Sequence, residues 1–305
     1  MTATVVAVPD GAPDWLVTAV RDGGATIGPL SAADALMQVG ATGGLPALSD
    51  QVRWVQLSSA GIEGYLRSGV IDDRRVWTSA AGAYADTVAE HAVGMLLAGV
   101  RGLVTAAGRT RWDPAAVARS TTGLGGSTVA VVGAGGIGRR VMALLAPFGV
   151  TTLAVNRSGQ PVDGAARTIP ADRIEELWSA GVDHVVLAAP ATAASHHLVG
   201  ADELAALTPA SWVVNIARGS LIDTDALIAA VTAGRIAGAA LDVTDPEPLP
   251  DGHPLWTAPG VIITPHTANP AHLAHGALAA RIRENVARFV AGRQLLGVID
   301  LGAGY

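Results

Sequence analysis

The sequence has 305 residues, half of them apolar and 15% charged, with a formal net charge of −6. That length suits two domains of modest size with substantial cores; no apolar run reaches the roughly 18 residues a membrane span needs, and an acidic balance without a basic stripe argues against a nucleic-acid partner. Cysteine is absent and all 20 basic residues are arginine, which excludes disulfides, thiolate metal sites, cysteine nucleophiles, Schiff-base lysines and a P-loop lysine.

The start, MTATVVAVPD, has no basic segment followed by a long apolar one, so no signal peptide is expected and the expected location is cytoplasmic. The first third reads as short β-branched runs bounded by turn residues: strands over 4–8, 53–57 and 76–78, with helical patterns between them. Strands alternating with helices predict a parallel sheet. Residues 86–104 then read as one long helix without proline, with Asp86 placed to cap it, and 109–126 as a polar, glycine-rich irregular arm. A second α/β unit begins at Ser127. Its predicted strands are 129–132, 152–155, 184–189, 212–216, 239–243 and 261–264, and its helices 136–148, 174–180, 201–207 and 224–233. This is a doubly wound pattern. A last amphipathic helix is predicted over 272–292.

Residues 129–138 read VAVVGAGGIG, so Gly133, Gly135 and Gly138 match G-x-G-x-x-G between a strand and a helix. The first glycine permits the tight turn, the second lets backbone approach a pyrophosphate, and the third lets helix and strand pack closely. With Gly136 and Ile137 they begin a helix whose free N–H groups suit phosphates. The next strand ends in Asn156, Arg157 and Ser158, where NAD enzymes usually carry a carboxylate for the ribose 2′-hydroxyl. Arg157 attracts a 2′-phosphate and Ser158 donates to one. NADP(H) is therefore expected over NAD(H).

The blocks at 86–97 (DTVAEHAVGMLL), 215–231 (NIARGSLIDTDALIAAV), 239–256 (AALDVTDPEPLPDGHPLW) and 261–268 (VIITPHTA) resemble the D-isomer-specific 2-hydroxyacid dehydrogenases. The resemblance is dense from about residue 86 to 268 and thin in the first 50. It implies two Rossmann-like domains of doubly wound parallel sheet with the active site between them. The substrate-binding domain would be 1–97 plus 275–305, and the inserted dinucleotide-binding domain 98–274. It further implies a homodimer formed through the long helix and the arm after it, a small 2-keto or 2-hydroxy acid as substrate, no metal, and neither nucleic acid nor membrane as partner.

The chemistry also stands on the residue types. Reducing a 2-keto acid needs a hydride donor, a proton donor and a clamp for the carboxylate. Arg218 follows a buried-type strand, and its planar fork suits a carboxylate and polarises the adjacent carbonyl. His266, after Pro265 at another strand end, gives and takes a proton near neutral pH. Glu247 lies in DPEPLP; a carboxylate hydrogen-bonded to His266 stabilises the imidazolium, and the family pairs its His and Glu in this way. The resemblance adds Asp242 against the nicotinamide carboxamide, the Ala217 carbonyl near the same ring, Pro190 beside the adenosine and Thr87 near the nicotinamide. It also matches Ser59, Ala60 and Gly61 to the loop whose backbone N–H groups meet the substrate carboxylate. In place of the longer glycine-rich stretch often found there, this chain has SSAGIEGYL. His91 is expected to be structural and His196 and His197 exposed; His272 and His275 lack an evident third metal ligand. Formate and phosphite dehydrogenases are the rivals within the class. The alternative from another class is a catalytically weak NAD(P)-sensing regulatory or binding protein of the same fold.

Overall fold

The computed structural model describes residues 3–39 and 45–302. In chain order the elements are β1 (Val5–Ala7), α1 (Asp14–Asp22), β2 (Thr26–Ile27), β3 (Ala35–Gln38), β4 (Trp54–Leu57), α2 (Glu63–Ser68), β5 (Val76–Thr78), α3 (Ala85–Val100), α4 (Leu103–Ala107) and α5 (Pro114–Arg119). Then follow β6 (Thr128–Val132), α6 (Gly136–Leu145), β7 (Thr151–Asn156), β8 (Arg167–Pro170), α7 (Glu175–Trp178), β9 (His184–Leu187) and α8 (Ala201–Ala205). The last are β10 (Trp212–Asn215), α9 (Thr224–Thr232), β11 (Gly238–Leu241), β12 (Val261–Ile263) and α10 (Ala271–Val290).

The chain forms two compact units, one from Met1–Tyr84 and Pro270–Tyr305, the other from Ala85–Asn269. These boundaries differ from the expected ones at 97 and 275. The reason is α3: it packs on α6, β10 and β11, burying Val88, Ala89, Ala92, Val93 and Leu96. Gly99 near its end lies so close to Trp212 that a Cβ would stand 2.4 Å from the indole. The whole helix therefore belongs with the second unit.

In the first unit five strands run parallel in the order β2-β1-β3-β4-β5. Strand residues alternate between two apolar layers. Val6, Ala35, Met37 and Trp54 face one with Leu278, Ile282 and Val286 of α10, while Ala7, Leu36, Val55 and Leu57 face the other. A sheet covered on both sides explains runs that are apolar throughout. A buried polar chain links α10 to this sheet. Asn285 donates to the Gln56 side chain at 2.8 Å and to the Leu296 carbonyl at 2.9 Å, and accepts from the Leu296 amide at 2.8 Å. Thr78 donates to Gln56 at 2.9 Å and accepts from the Trp54 indole at 2.8 Å.

The second unit holds seven parallel strands in the order β12-β11-β10-β9-β6-β7-β8. The chain leaves β6 for β7 and β8 on one side and continues with β9 to β12 on the other. This places a topological switch point between β6 and β9, where open α/β sheets bind ligands at the strands' carboxyl ends. Two differences from the sequence reading have local causes. The long helix predicted over 86–104 breaks at Gly102, whose φ of 61° ends α3 and starts α4. The arm at 109–126 holds α5, capped by the Asp113 side chain accepting from Ala116 N with Pro114 in the first turn.

Candidate active site

The glycine turn follows β6. Gly133 has φ +99°, and a Cβ there would lie 2.4 Å from the Ala189 amide beyond β9. A Cβ on Gly138 would lie 2.2 Å from the Gly133 carbonyl. Both positions therefore exclude any side chain. Gly135 differs, for a Cβ there would meet nothing within 4 Å. Gly135 and Gly136 are exposed, Ile137 is half-buried, and Gly135 caps α6 without a side-chain hydrogen bond. The turn thus offers free helix N–H groups beneath an open space, which fits a pyrophosphate. Pro190, exposed on the loop after β9, lies across the same switch point, its carbonyl accepting from Ser195 Oγ at 2.8 Å.

At the end of β7 the Asn156 amide shapes its own loop. Its Oδ1 accepts from Gly159 N at 2.6 Å and its Nδ2 donates to the Gln160 carbonyl at 2.8 Å. Arg157 and Ser158 are exposed at the loop tip.

The remaining candidates of this unit emerge from the carboxyl ends of neighbouring strands. Asn215, Leu241 and Ile263 close β10, β11 and β12 in register, and Arg218, Asp242 and His266 follow one to three residues later. Asn215 shapes the first loop, accepting from Ala217 N at 3.1 Å and donating to the Arg218 carbonyl at 2.9 Å. The Arg218 guanidinium donates to the Ala217 carbonyl at 2.6 Å. Gly219 permits the loop's close packing: a Cβ there would lie 2.0 Å from the Thr244 carbonyl group.

Asp242 is 2% exposed. Its carboxylate accepts from Thr264 Oγ1 at 2.6 Å, Thr267 N at 2.8 Å and Ala268 N at 3.1 Å, with His91 Nε2 3.5 Å away. Burial pushes its pKa up, but hydrogen bonds from His91, Thr264, Thr267 and Ala268 outweigh that and hold it below the ordinary carboxylate value. The structure thus turns the Asp242 side chain toward the chain's own donors. His91, expected to be structural, also lies 3.0 Å from Thr264 Oγ1; the sequence gives no sign of this three-residue cluster. Thr87, in the first turn of α3, donates to Asn269 Oδ1 at 2.9 Å.

His266 has φ +52°, and its amide donates to the Asp242 and Thr264 carbonyls at 2.8 and 2.9 Å. Its Nδ1 lies 2.6 Å from Glu247 Oε1, with both side chains partly exposed. A carboxylate only accepts, so Nδ1 carries the hydrogen and Nε2 is left to exchange a proton. Glu247 and His266, 19 residues apart, are therefore brought together as an orienting pair.

In the first unit, Ser59, Ala60 and Gly61 form the bend after β4. The Ser58 carbonyl accepts from Tyr84 Oη at 2.5 Å and the Ser59 carbonyl from Ala80 N at 2.8 Å. Among the described residues the amides of Ser59, Ala60 and Gly61 donate to no acceptor, and the buried Ser59 hydroxyl has no partner. Successive free amides of this kind suit an anion. The other histidines are placed as well. His196 and His197 are exposed and stacked on each other, and His275 stacks on Trp15 at 5.1 Å. The described residues contain no group of three or more His, Asp or Glu placed to hold a metal, and no helix among them is long and apolar enough to cross a membrane. A cavity of about 500 Å³ bounded by Gly99, Arg119, Trp212 and Gly260 lies at the amino ends of β10 to β12, the opposite strand ends from Arg218, Asp242 and His266.

Comparison with known proteins identifies the family. The family described as D-isomer specific 2-hydroxyacid dehydrogenase, NAD binding domain, matches residues 93–268. An uncharacterized protein in the proB 3′ region of Corynebacterium melassecola is 41% identical over 94% of this chain and 96% of its own length. The human glyoxylate reductase/hydroxypyruvate reductase is 34% identical over 71% of this chain and 67% of its own length. Among solved structures, a D-isomer specific 2-hydroxyacid dehydrogenase family protein from Aeromonas salmonicida superposes with a TM-score of 0.81 at 26% identity, covering 98% of this chain and 99% of that one. With its glycine turn at the switch point between two parallel-sheet halves, the chain belongs to the D-isomer specific 2-hydroxyacid dehydrogenase family of nicotinamide-dependent oxidoreductases.

Proposed function

We propose that this chain reduces a small 2-keto acid to its D-2-hydroxy acid, with NADPH preferred over NADH. The observation that carries the reading is the 2.6 Å contact between His266 Nδ1 and Glu247 Oε1 at the end of a strand sequence that also presents Arg218. Gly133, Gly135, Gly136, Ile137 and Gly138 receive the cofactor pyrophosphate, Arg157 and Ser158 the 2′-phosphate, and Pro190 borders the adenosine. Thr87 and the Ala217 carbonyl would border the nicotinamide, and Asp242 would fix the chain that faces it. When bound, the nicotinamide supplies the hydride for the C2 carbon.

The chain's own groups do the rest. Arg218 binds the substrate carboxylate through its fork and polarises the C2 carbonyl. In the first unit, the free amides of Ser59, Ala60 and Gly61 are suited to donate to a substrate carboxylate. His266 passes the proton on Nε2 to the carbonyl oxygen, and in the reverse direction takes it from the hydroxyl. Glu247 holds the ring's orientation and stabilises its charged form. On this reading the first unit binds substrate and the second dinucleotide, with no role for a metal. Glyoxylate and hydroxypyruvate are the first acids to test, since the human relative is a glyoxylate reductase/hydroxypyruvate reductase. A homodimer through α3 and the segment after it is part of the same proposal, supported by Trp112, 95% exposed, and by exposed Leu103 and Val104 in that segment.

The test is NADPH and NADH oxidation, side by side, over a panel of 2-keto acids with wild type and His266→Ala. Consumption of NADPH with one acid, and its near-loss in the variant, is the expected result. NADPH binding without turnover of any acid would overturn the reductase reading and leave the cofactor-sensing alternative.

A further inference from the structure

The bend at Ser59, Ala60 and Gly61 is held from outside by a chain of contacts that neither its sequence nor the proposed chemistry assigns. Tyr84 Oη donates to the Ser58 carbonyl at 2.5 Å, and Ala80 N to the Ser59 carbonyl at 2.8 Å. Both carbonyls of the approach to the bend are thereby turned away from its amides. The segment that supplies these donors is itself clamped. Arg281 of α10 donates from Nη1 to the Ser79 and Ala81 carbonyls at 3.4 and 3.0 Å. Ser79 N donates to the Gly297 carbonyl at 2.8 Å. Gly297 has φ +71°, and a Cβ there would lie 2.8 Å from Arg281 Nη1 and 2.5 Å from the Ser79 carbonyl oxygen. The glycine thus leaves room for the guanidinium to reach the backbone. Burial pushes the Tyr84 phenol up to about 12 against the opposing effect of Arg281, so its hydroxyl remains a donor at any working pH.

We propose that Tyr84 and Arg281 are positioning residues that keep the Ser59–Gly61 amides aimed for a substrate carboxylate, so that they set affinity for the acid and not the rate of the chemical step. This rests on the proposed function, in which that bend receives the carboxylate. A bend with unspent amides needs its carbonyls occupied elsewhere, or a peptide flip would bring an acceptor where the anion belongs. The Tyr84 and Ala80 contacts occupy them. Arg281 keeps the 79–84 segment from moving, and a lysine, whose compact ammonium sits on a flexible stem, does not reproduce the rigid guanidinium that holds Nη1 between the two carbonyls.

The experiment is steady-state kinetics and oxalate inhibition with Tyr84→Phe, an isosteric change, and Arg281→Lys, alongside amide hydrogen exchange of residues 58–61. The expected result is a rise of about three- to tenfold in KM for the keto acid and in Ki for oxalate, from the loss of one hydrogen bond. KM for NADPH and kcat should stay within about twofold, and exchange at the bend should quicken. A purely structural role would lower Tm without this split between KM and kcat. Unchanged acid KM, Ki and bend exchange in folded Tyr84→Phe overturns the inference while leaving the reductase reading intact. A wild type that turns over no keto acid overturns both.

Discussion

The backbone amide of His266 donates to the Asp242 carbonyl at 2.8 Å, while the Asp242 carboxylate takes the two amides that follow, those of Thr267 and Ala268. One buried residue therefore fixes the peptide on the carboxyl side of the histidine and its own N–H as well. Asp242→Asn replaces an acceptor of four donors by an amide that turns an NH2 toward them. A destabilisation of about 1–3 kcal/mol is expected from the buried groups left unpaired, with a loss in kcat. Because the folded-state pKa of Asp242 lies below the ordinary value of 3.8, its contribution is present above that value and is lost as pH falls below it. Urea unfolding of both proteins from pH 6 down to about 3 should show their difference shrinking with acid; a constant difference would contradict the assignment.

Glu247→Gln keeps a polar group near His266 Nδ1 and removes the charge. A fall of about 10²-fold in kcat is expected, with His266→Ala losing about 10²–10⁴-fold, and little change in the KM for NADPH. Stopped-flow single turnover would separate this from slow product release.

Arg157→Ala tests cofactor choice. Loss of a charge-assisted contact to the 2′-phosphate is worth about 1.5–3 kcal/mol, so the NADPH to NADH ratio of kcat/KM should fall by about 10- to 100-fold through NADPH alone. An equal loss for both cofactors would remove the 2′-phosphate argument.

His184 is buried, with Nδ1 accepting from Trp212 N at 3.2 Å. Burial, opposed by the Asp183 charge, lowers its pKa below 6.5. The unfolded chain then binds a proton before the folded one, so stability is full above about 6.5 and falls as pH drops from there toward the folded-state pKa. His184→Asn, which offers an oxygen acceptor without titrating, should flatten that slope in denaturant melts between pH 7 and 5.

Asn285 is fully buried and makes three hydrogen bonds linking α10 to Gln56 and Leu296. Asn285→Ala leaves these partners unpaired, and a loss of about 2–4 kcal/mol is expected in chemical unfolding. Asn285→Asp should be no better, since the Gln56 and Leu296 oxygens need a donor.

The strands of the second unit were legible because each is an apolar run ended by a glycine, proline or polar turn, as at Val132-Gly133 and Asn215. β8 was not, since Arg-Thr-Ile-Pro at a sheet edge carries only one fully buried side chain, Ile169. β3 escaped notice because Ala-Leu-Met-Gln holds no β-branched residue and is made of residues that favour helix. Among the site residues, the sequence marked Arg218 and His266 by type and strand end, and Glu247 by its place in the proline-rich loop DPEPLP. It could not show that a loop 19 residues away returns to the histidine, nor that His91 on a helix reaches Asp242. Such meetings depend on register between strands that share no local signal. Tyr84 and Arg281 lay hidden for the same reason, being about 200 residues apart in the chain.

Gly219 lies flat against the Thr244 carbonyl, with no room for even a methyl group between them, and Thr224 Oγ1, at the start of α9, donates to the Asp245 carbonyl at 2.9 Å. The arginine loop and the loop that carries Glu247 are thereby cast as one piece. Neither can be lengthened, swapped or transplanted without the other, so laboratory recombination between relatives should tolerate crossovers ahead of β10 or beyond His266 and reject those that fall between.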